Sequence, residues 1–175
     1  MKVTGKIYKV IQWSSGNVGK ASIRGICNRS DLELVGLIVS DEKKNGLDAG
    51  TISGIDEIGV LASTNIEEVL SIEADCVNYT PLASLRLGDD PDADKKNILF
   101  LLRKGFNVVT TVGFLYPKAF GEDFEKEIED ACLEGGSSLH GTGIAPGWLS
   151  DLVPLTMSGM SEEISEVRVT ESSEF

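Results

Sequence analysis

Histidine occurs once in this chain of 175 residues, as His140, and cysteine three times, as Cys27, Cys76 and Cys132. An odd number of widely spaced cysteines, without a C-x-x-C pair and with one histidine to join them, excludes the spacings of a structural zinc site and argues against a disulfide framework. The three are read as ordinary reduced thiols. Positive charge is scarce as well. The 16 Lys and Arg stand against 28 Asp and Glu, a formal net charge of −12, which argues against nucleic acid and against an anionic membrane as partners. No apolar run approaches membrane-spanning length, and the start MKVTGKIYKV has no secretory apolar region, so a cytoplasmic location is expected. The sequons at Asn28 and Asn78 then carry no weight. Ser137, Ser138 and Ser150 lack a G-x-S-x-G setting, which leaves no nucleophile constellation to defend. Gly88 to Asp94 looks like a calcium loop until Lys95 falls where its glycine belongs and Leu101 where its glutamate belongs.

What is present is a composition of 41% hydrophobic and 25% charged residues, ordinary for a globular domain with a real core. The chain is organised around IYKVIQWSSGNVGK, from Ile7 to Lys20. Tyr8 to Trp13 is an apolar, β-favouring run that stops at a turn of small residues, Ser14-Ser15-Gly16-Asn17-Val18-Gly19, before helix-compatible sequence through Ala21, Ile23 and Ile26. A strand, a small-residue turn and a helix start let backbone N–H groups and the positive end of the helix dipole meet a pyrophosphate. The fingerprint G-x-G-x-x-G falls on Ser14, Gly16 and Gly19, so a serine stands where the first glycine belongs. Such a turn also serves plain chain reversal, and both readings stay open on this element alone.

Leu32 to Val39 reads as a buried parallel strand ending at Ser40-Asp41-Glu42-Lys43-Lys44. At the end of a second strand a carboxylate suits the ribose of NAD, whereas small polar and basic residues suit a 2′-phosphate. Ser40, Lys43 and Lys44 lean towards NADP and Asp41 towards NAD; NADP is the preferred expectation. Asn45 to Gly59 reads as loop. A short strand at Val60 to Ala62 precedes a helix capped by Ser63-Thr64-Asn65, and Asp75 to Thr80 is a further strand ending at Pro81. Acidic residues and a proline open a helix that runs through Ile98 and Leu102 to Arg103-Lys104-Gly105. Asn107 to Thr111 is a fifth strand, Glu122 to Glu134 a helix, and Ser137 to His140 a sixth strand opening into Gly141 to Gly147. Trp148 to Met160 reads as a helix kinked at Pro154. In Ile164 to Phe175 the alternation of Val167 and Val169 against Arg168 and Thr170 predicts a half-buried strand. Alternating strands and helices give an α/β fold, a doubly wound parallel sheet of Rossmann type, over residues 1–160. Residues 161–175 are then expected to begin a substrate or oligomerisation domain otherwise absent, whose first strand offers an edge for a second copy.

Taken together, IQWSSGNVG, GLDAG, NVVTTVGF and GSSLHGTGIAPGW resemble the N-terminal half of the dihydrodipicolinate-reductase-like oxidoreductases, and more narrowly their NAD(P)H-dependent amine dehydrogenase branch. The resemblance implies that Ser14, Ser15, Gly16, Asn17, Val18 and Gly19 hold the pyrophosphate, that Ser40 and the residues after it face the ribose, and that Thr80, Pro81, Thr111 and Gly113 line the nicotinamide side. The His/Lys motif of dihydrodipicolinate reductases is absent, and Gly113-Phe114 stands where some amine-dehydrogenating relatives carry a glutamate. His140 is the candidate proton donor or substrate contact, Tyr116 and Thr111 are secondary candidates, and Trp148 reads as a packing residue. The expected function is the NAD(P)-binding domain of an oxidoreductase acting on a C=N, C=O or C–NH2 bond of a small molecule, since the cofactor carries such chemistry and the protein orients it. The alternative is a non-catalytic nucleotide-binding or oligomerisation module.

Overall fold

The computed structural model describes residues 5–84 and 90–172. Strand β1 (Tyr8–Trp13) leads into helix α1 (Asn17–Cys27), β2 (Leu32–Ile38), a single 3-10 turn (Glu42–Lys44), α2 (Ala49–Ser53), β3 (Ala62–Ser63), α3 (Ile66–Leu70) and β4 (Cys76–Tyr79). There follow α4 (Ala93–Arg103), β5 (Asn107–Thr110), α5 (Glu122–Gly135), β6 (Leu139–Gly141) and α6 (Val153–Ser158). The six strands form one sheet in the order β3-β2-β1-β4-β5-β6, each pair parallel. The doubly wound sheet expected from the alternation of elements is the one observed.

Successive side chains on a strand point to opposite faces, and β1 shows the consequence. Val10 joins a cluster with Ile23 and Ile26 of α1, Leu34 and Leu37 of β2 and Ala49 of α2. Its neighbour Ile11 joins the larger cluster, with Val77 of β4, Ile98, Leu101 and Leu102 of α4, and Ile128 and Ala131 of α5. Helices thus cover both faces, which is why the strands read as nearly continuous apolar runs. Gly36 lets α3 approach β2, since a Cβ there would lie 2.7 Å from Val69 Cγ1.

Three expectations need correction. The stretch from Asn45 to Gly59 is not plain loop. Asp48 is buried and accepts from the backbone N–H groups of Gly50 (2.7 Å), Ile58 (3.1 Å) and Gly59 (2.8 Å), so its carboxylate both caps α2 and closes the segment behind it. Burial opposes ionisation of Asp48, but these backbone donors outweigh it and hold the carboxyl below its ordinary range.

Pro154 does not kink a continuous helix. Residues Ile144–Leu152 form a wider, irregular helical stretch with non-helical backbone at Ala145, Pro146 and Gly147, and Pro154 falls in the first turn of α6, where its missing N–H costs little.

The strand expected over Ile164 to Phe175 is not formed among the described residues: 161–172 carry no strand and are exposed throughout. Alternation of Val167 and Val169 specifies a strand only where a neighbouring strand and a core receive them, and neither is present there; Arg168 pairs locally with Glu166 instead. The end of that stretch, 173–175, and Gly88 and Asp89 of the acidic segment lie outside the described residues.

Candidate functional site

The sheet order reverses between β1 and β4, so the chain leaves their carboxyl ends towards opposite faces and opens a crevice. A cleft of about 590 Å³ occupies that place, with Ser14, Gly16, Ser40, Asp41, Lys44 and Pro81 among its walls. The turn after β1 forms one lip. The Ser14 N–H donates to the Ile38 carbonyl at 2.9 Å, and Ser14 has φ +91°, the single non-glycine residue with positive φ among those described. Serine here adopts the conformation for which the fingerprint ordinarily supplies glycine.

The two glycines of the turn have separate jobs. A Cβ on Gly19 would overlap the Ser14 carbonyl, so glycine is what seats α1 against the turn. A Cβ on Gly16 would meet only Ser14 Oγ, at 3.9 Å, and Gly16 is exposed. The space above Gly16 is open to the cleft. No side chain caps α1, and its first turn carries no acid, which leaves N–H groups and the positive end of the dipole available to an anion.

The turn after β2 supplies a cation. Lys44 Nζ donates to Ser15 Oγ at 3.0 Å and lies 3.4 Å from the Ser15 carbonyl, so the turn after β2 reaches back onto the turn after β1. Lys43, which the sequence pairs with it, is exposed and gives its backbone N–H to Asp41 Oδ1 at 3.0 Å. Ser40 and Asp41 are exposed on the cleft wall.

On the other side, Thr80 and Pro81 follow β4, and the Thr111 N–H reaches the Tyr79 carbonyl at 3.4 Å, which brings Thr111 to Gly113 beside them at the carboxyl end of the sheet. Gly113, with φ +96°, turns the chain towards Phe114, which is buried edge-on against Phe120 and Phe124. His140 is not brought to this crevice. It is exposed and lines a separate pocket of about 290 Å³ with Phe114, Ile128, Glu129 and Cys132. Tyr116 is exposed, and Trp148 is 59% exposed rather than packed.

Two polar networks at the crevice escape a reading of motifs. Gln12, fully buried on β1, reaches Thr80 Oγ1 at 2.8 Å and the Ser14 carbonyl at 3.0 Å. Tyr79 donates to Asp94 Oδ1 at 2.8 Å and accepts from Asn97 Nδ2 at 3.0 Å, tying β4 to the start of α4. Burial, reinforced by the Asp94 carboxylate and opposed by the Asn97 amide, pushes the Tyr79 hydroxyl well above its ordinary value, so it remains a neutral phenol. A lone amide in an apolar strand just before the turn was the available signal for Gln12. Nothing comparable marked Tyr79. Among the described residues no cluster of His, Cys, Asp and Glu suits a metal ion, and no helix is long and apolar enough to cross a membrane.

Strand order and the turn at its reversal point define an α/β domain of Rossmann type. The chain belongs to the family described as dihydrodipicolinate reductase, N-terminus, whose model matches residues 10–118. It is 34% identical over 166 residues to an amine dehydrogenase of Streptomyces virginiae, covering 92% of this chain and 44% of that protein. It is 28% identical over 162 residues to 2,4-diaminopentanoate dehydrogenase of Acetoanaerobium sticklandii, covering 91% and 44%. The structure of amine dehydrogenase from Mycobacterium smegmatis superposes with a TM-score of 0.74 at 22% identity, over 90% of this chain and 45% of that one. The chain therefore spans less than half the length of these relatives.

Proposed function

We propose that this chain is the NAD(P)-binding domain of an oxidoreductase that acts on a C=N, C=O or C–NH2 bond of a small molecule. The observation that carries the reading is the uncapped start of α1 beneath open space at Gly16, with the Lys44 ammonium beside it, at the point where the sheet order reverses. These residues fit a dinucleotide: the turn from Ser14 to Gly19 offers backbone donors and a dipole to the pyrophosphate, and Lys44 offers charge. Ser40 and Lys44 favour NADP at the ribose, while Asp41, with one carboxylate oxygen engaged by Lys43 N–H, has its other oxygen for the ribose hydroxyls of NAD. When bound, the nicotinamide supplies hydride transfer. Thr80, Pro81, Thr111 and Gly113 are then the residues that orient it. The kinship with proteins named amine dehydrogenase and 2,4-diaminopentanoate dehydrogenase supports the substrate class.

Residues 1–160 form the cofactor domain in this reading, with 161–175 leading out of it. We assign His140 no contact with the nicotinamide, because it lines a different pocket. That same separation favours a second reading, a nucleotide-binding module without catalysis of its own. Titration with NADPH and NADH followed by tryptophan fluorescence tests the first: saturable binding supports it, and no binding of either at millimolar concentration removes it. Turnover of an amine or imine by the 175-residue chain would remove the second.

A further inference from the structure

We propose that Gln12 is the positioning residue of the phosphate-binding turn, holding Ser14 in a backbone conformation that serine rarely adopts; this rests on the nucleotide-binding reading above. Gln12 is the last residue but one of β1 and is fully buried at the reversal point, where a polar side chain persists only if its groups are paired. They are. Nε2 lies 3.0 Å from the Ser14 carbonyl, 3.1 Å from the Trp13 carbonyl and 2.8 Å from Thr80 Oγ1, while Oε1 accepts from Asn78 Nδ2 at 2.7 Å. Two backbone carbonyls on one side of the amide require donors there, which fixes which end is the NH2. Thr80 Oγ1, 3.4 Å from the Trp13 carbonyl, relays a hydrogen to it and leaves both amide hydrogens for Ser14 and Thr80.

The consequence runs from the amide to the start of the helix. Ser14 at φ +91° turns its carbonyl inward to the Gln12 amide. Gly19 packs on that same carbonyl, and a Cβ added there would also lie 3.3 Å from Gln12 Nε2. The amide therefore fixes the carbonyl on which α1 rests, and through it the direction in which the first N–H groups of α1 point. Its bond to Thr80 and its bond from Asn78 tie that turn to β4, the opposite lip of the crevice. Where the first fingerprint residue is glycine, positive φ carries no side-chain penalty; with serine, it must be held.

The test uses four forms of the whole chain: wild type, Gln12→Met, Ser14→Gly and the double variant. Methionine keeps the length of the side chain and removes its donors; Gln12→Glu, of the same shape, replaces it if Gln12→Met does not fold. NADPH and NADH affinity should fall about tenfold with Gln12→Met in the wild-type background and about threefold or less in the Ser14→Gly background. Affinity for adenosine, which has no phosphate, should stay within about twofold, a split that general damage to the fold would not produce. Equal losses in both backgrounds, or a loss for adenosine as large as for the dinucleotides, would overturn the proposal. Melting of the same four proteins without nucleotide reads the turn alone: Gln12→Met should lower Tm less when residue 14 is glycine, and an additive cycle overturns the proposal whatever binds. Failure of the wild type to bind either dinucleotide overturns the functional reading instead, and removes Gln12 from nucleotide binding while the melting cycle still decides whether it holds Ser14.

Discussion

Lys44 Nζ lies 3.0 Å from Ser15 Oγ, so the turn that follows β2 is pinned to the turn that follows β1 by a single ammonium group. In the proposed reading the two turns meet different parts of a dinucleotide, and Lys44 stands between them. Lys44→Ala is expected to weaken both NADH and NADPH by about tenfold, NADPH the more, with the loss shrinking at high salt as a screened charge requires. Lys43→Ala should leave both within about twofold, because Lys43 is exposed and does not line the cleft, and a solvated charge contributes little. Calorimetric titration of the two variants checks the contrast. An unchanged Kd in Lys44→Ala, or equal effects of the two lysines, would remove Lys44 from the site.

Gly16 and Gly19 carry opposite expectations. A methyl group at Gly16 meets no backbone, so Gly16→Ala should melt within a few degrees of wild type while losing about tenfold in dinucleotide affinity, the methyl standing where the pyrophosphate must approach. A methyl at Gly19 overlaps the Ser14 carbonyl, so Gly19→Ala should lower stability by about 2 kcal/mol or more before any ligand is added. Thermal melting and titration of the pair read both effects. Full affinity in Gly16→Ala would place the phosphate elsewhere.

Ser14 adopts φ +91°, which costs a side-chain-bearing residue about 1–3 kcal/mol. Glycine removes that cost but adds freedom to the unfolded chain worth about 0.4–1 kcal/mol. Ser14→Gly should therefore gain about 1 kcal/mol net, a rise of about 2–4 °C in Tm for a chain of this size. A lower Tm would mean that the hydroxyl, which receives the Gly16 N–H at 3.4 Å, contributes more than the backbone strain removes.

The sheet was legible because its signals are local and repeated. Largely apolar runs at Tyr8–Trp13 and Leu32–Ile38, glycines at Gly105 and Gly136 where helices close, and the repeated alternation of strand and helix all point to one sheet. What escaped depends on partners remote in sequence. Gln12 looked like one polar residue in a strand, and only the approach of Thr80, across 68 residues, gives its amide a purpose. His140 looked close to the crevice because strand ends gather there, but β6 is the outermost strand and directs it to a pocket at the sheet edge. The alternation at Val167 and Val169 carries the period of a strand, and period alone does not supply a neighbour to pair with.

Asp48 gives the fold a pH dependence whose sign follows from its contacts. Burial opposes its charge, but the N–H groups of Ile58, Gly50 and Gly59 prevail and depress its folded-state pKa below the unfolded value near 3.8. A carboxyl of lower pKa in the folded state binds fewer protons there, so its stabilisation is fully present above the unfolded pKa and is lost as pH falls through the folded one. Wild type should therefore lose stability steeply between about pH 4 and pH 2, and Asp48→Asn, which keeps an acceptor without the charge, should be less stable at pH 7 by about 2 kcal/mol while losing less on acidification. Urea unfolding at pH 7 and at pH 3 for the two proteins measures the difference. Equal acid sensitivity would mean that another carboxylate governs the acid limb, and the closure of the 45–59 segment would then be carried by its backbone contacts, Gly46 N–H to the Ala62 carbonyl and Ala49 N–H to the Val60 carbonyl, both 2.8 Å.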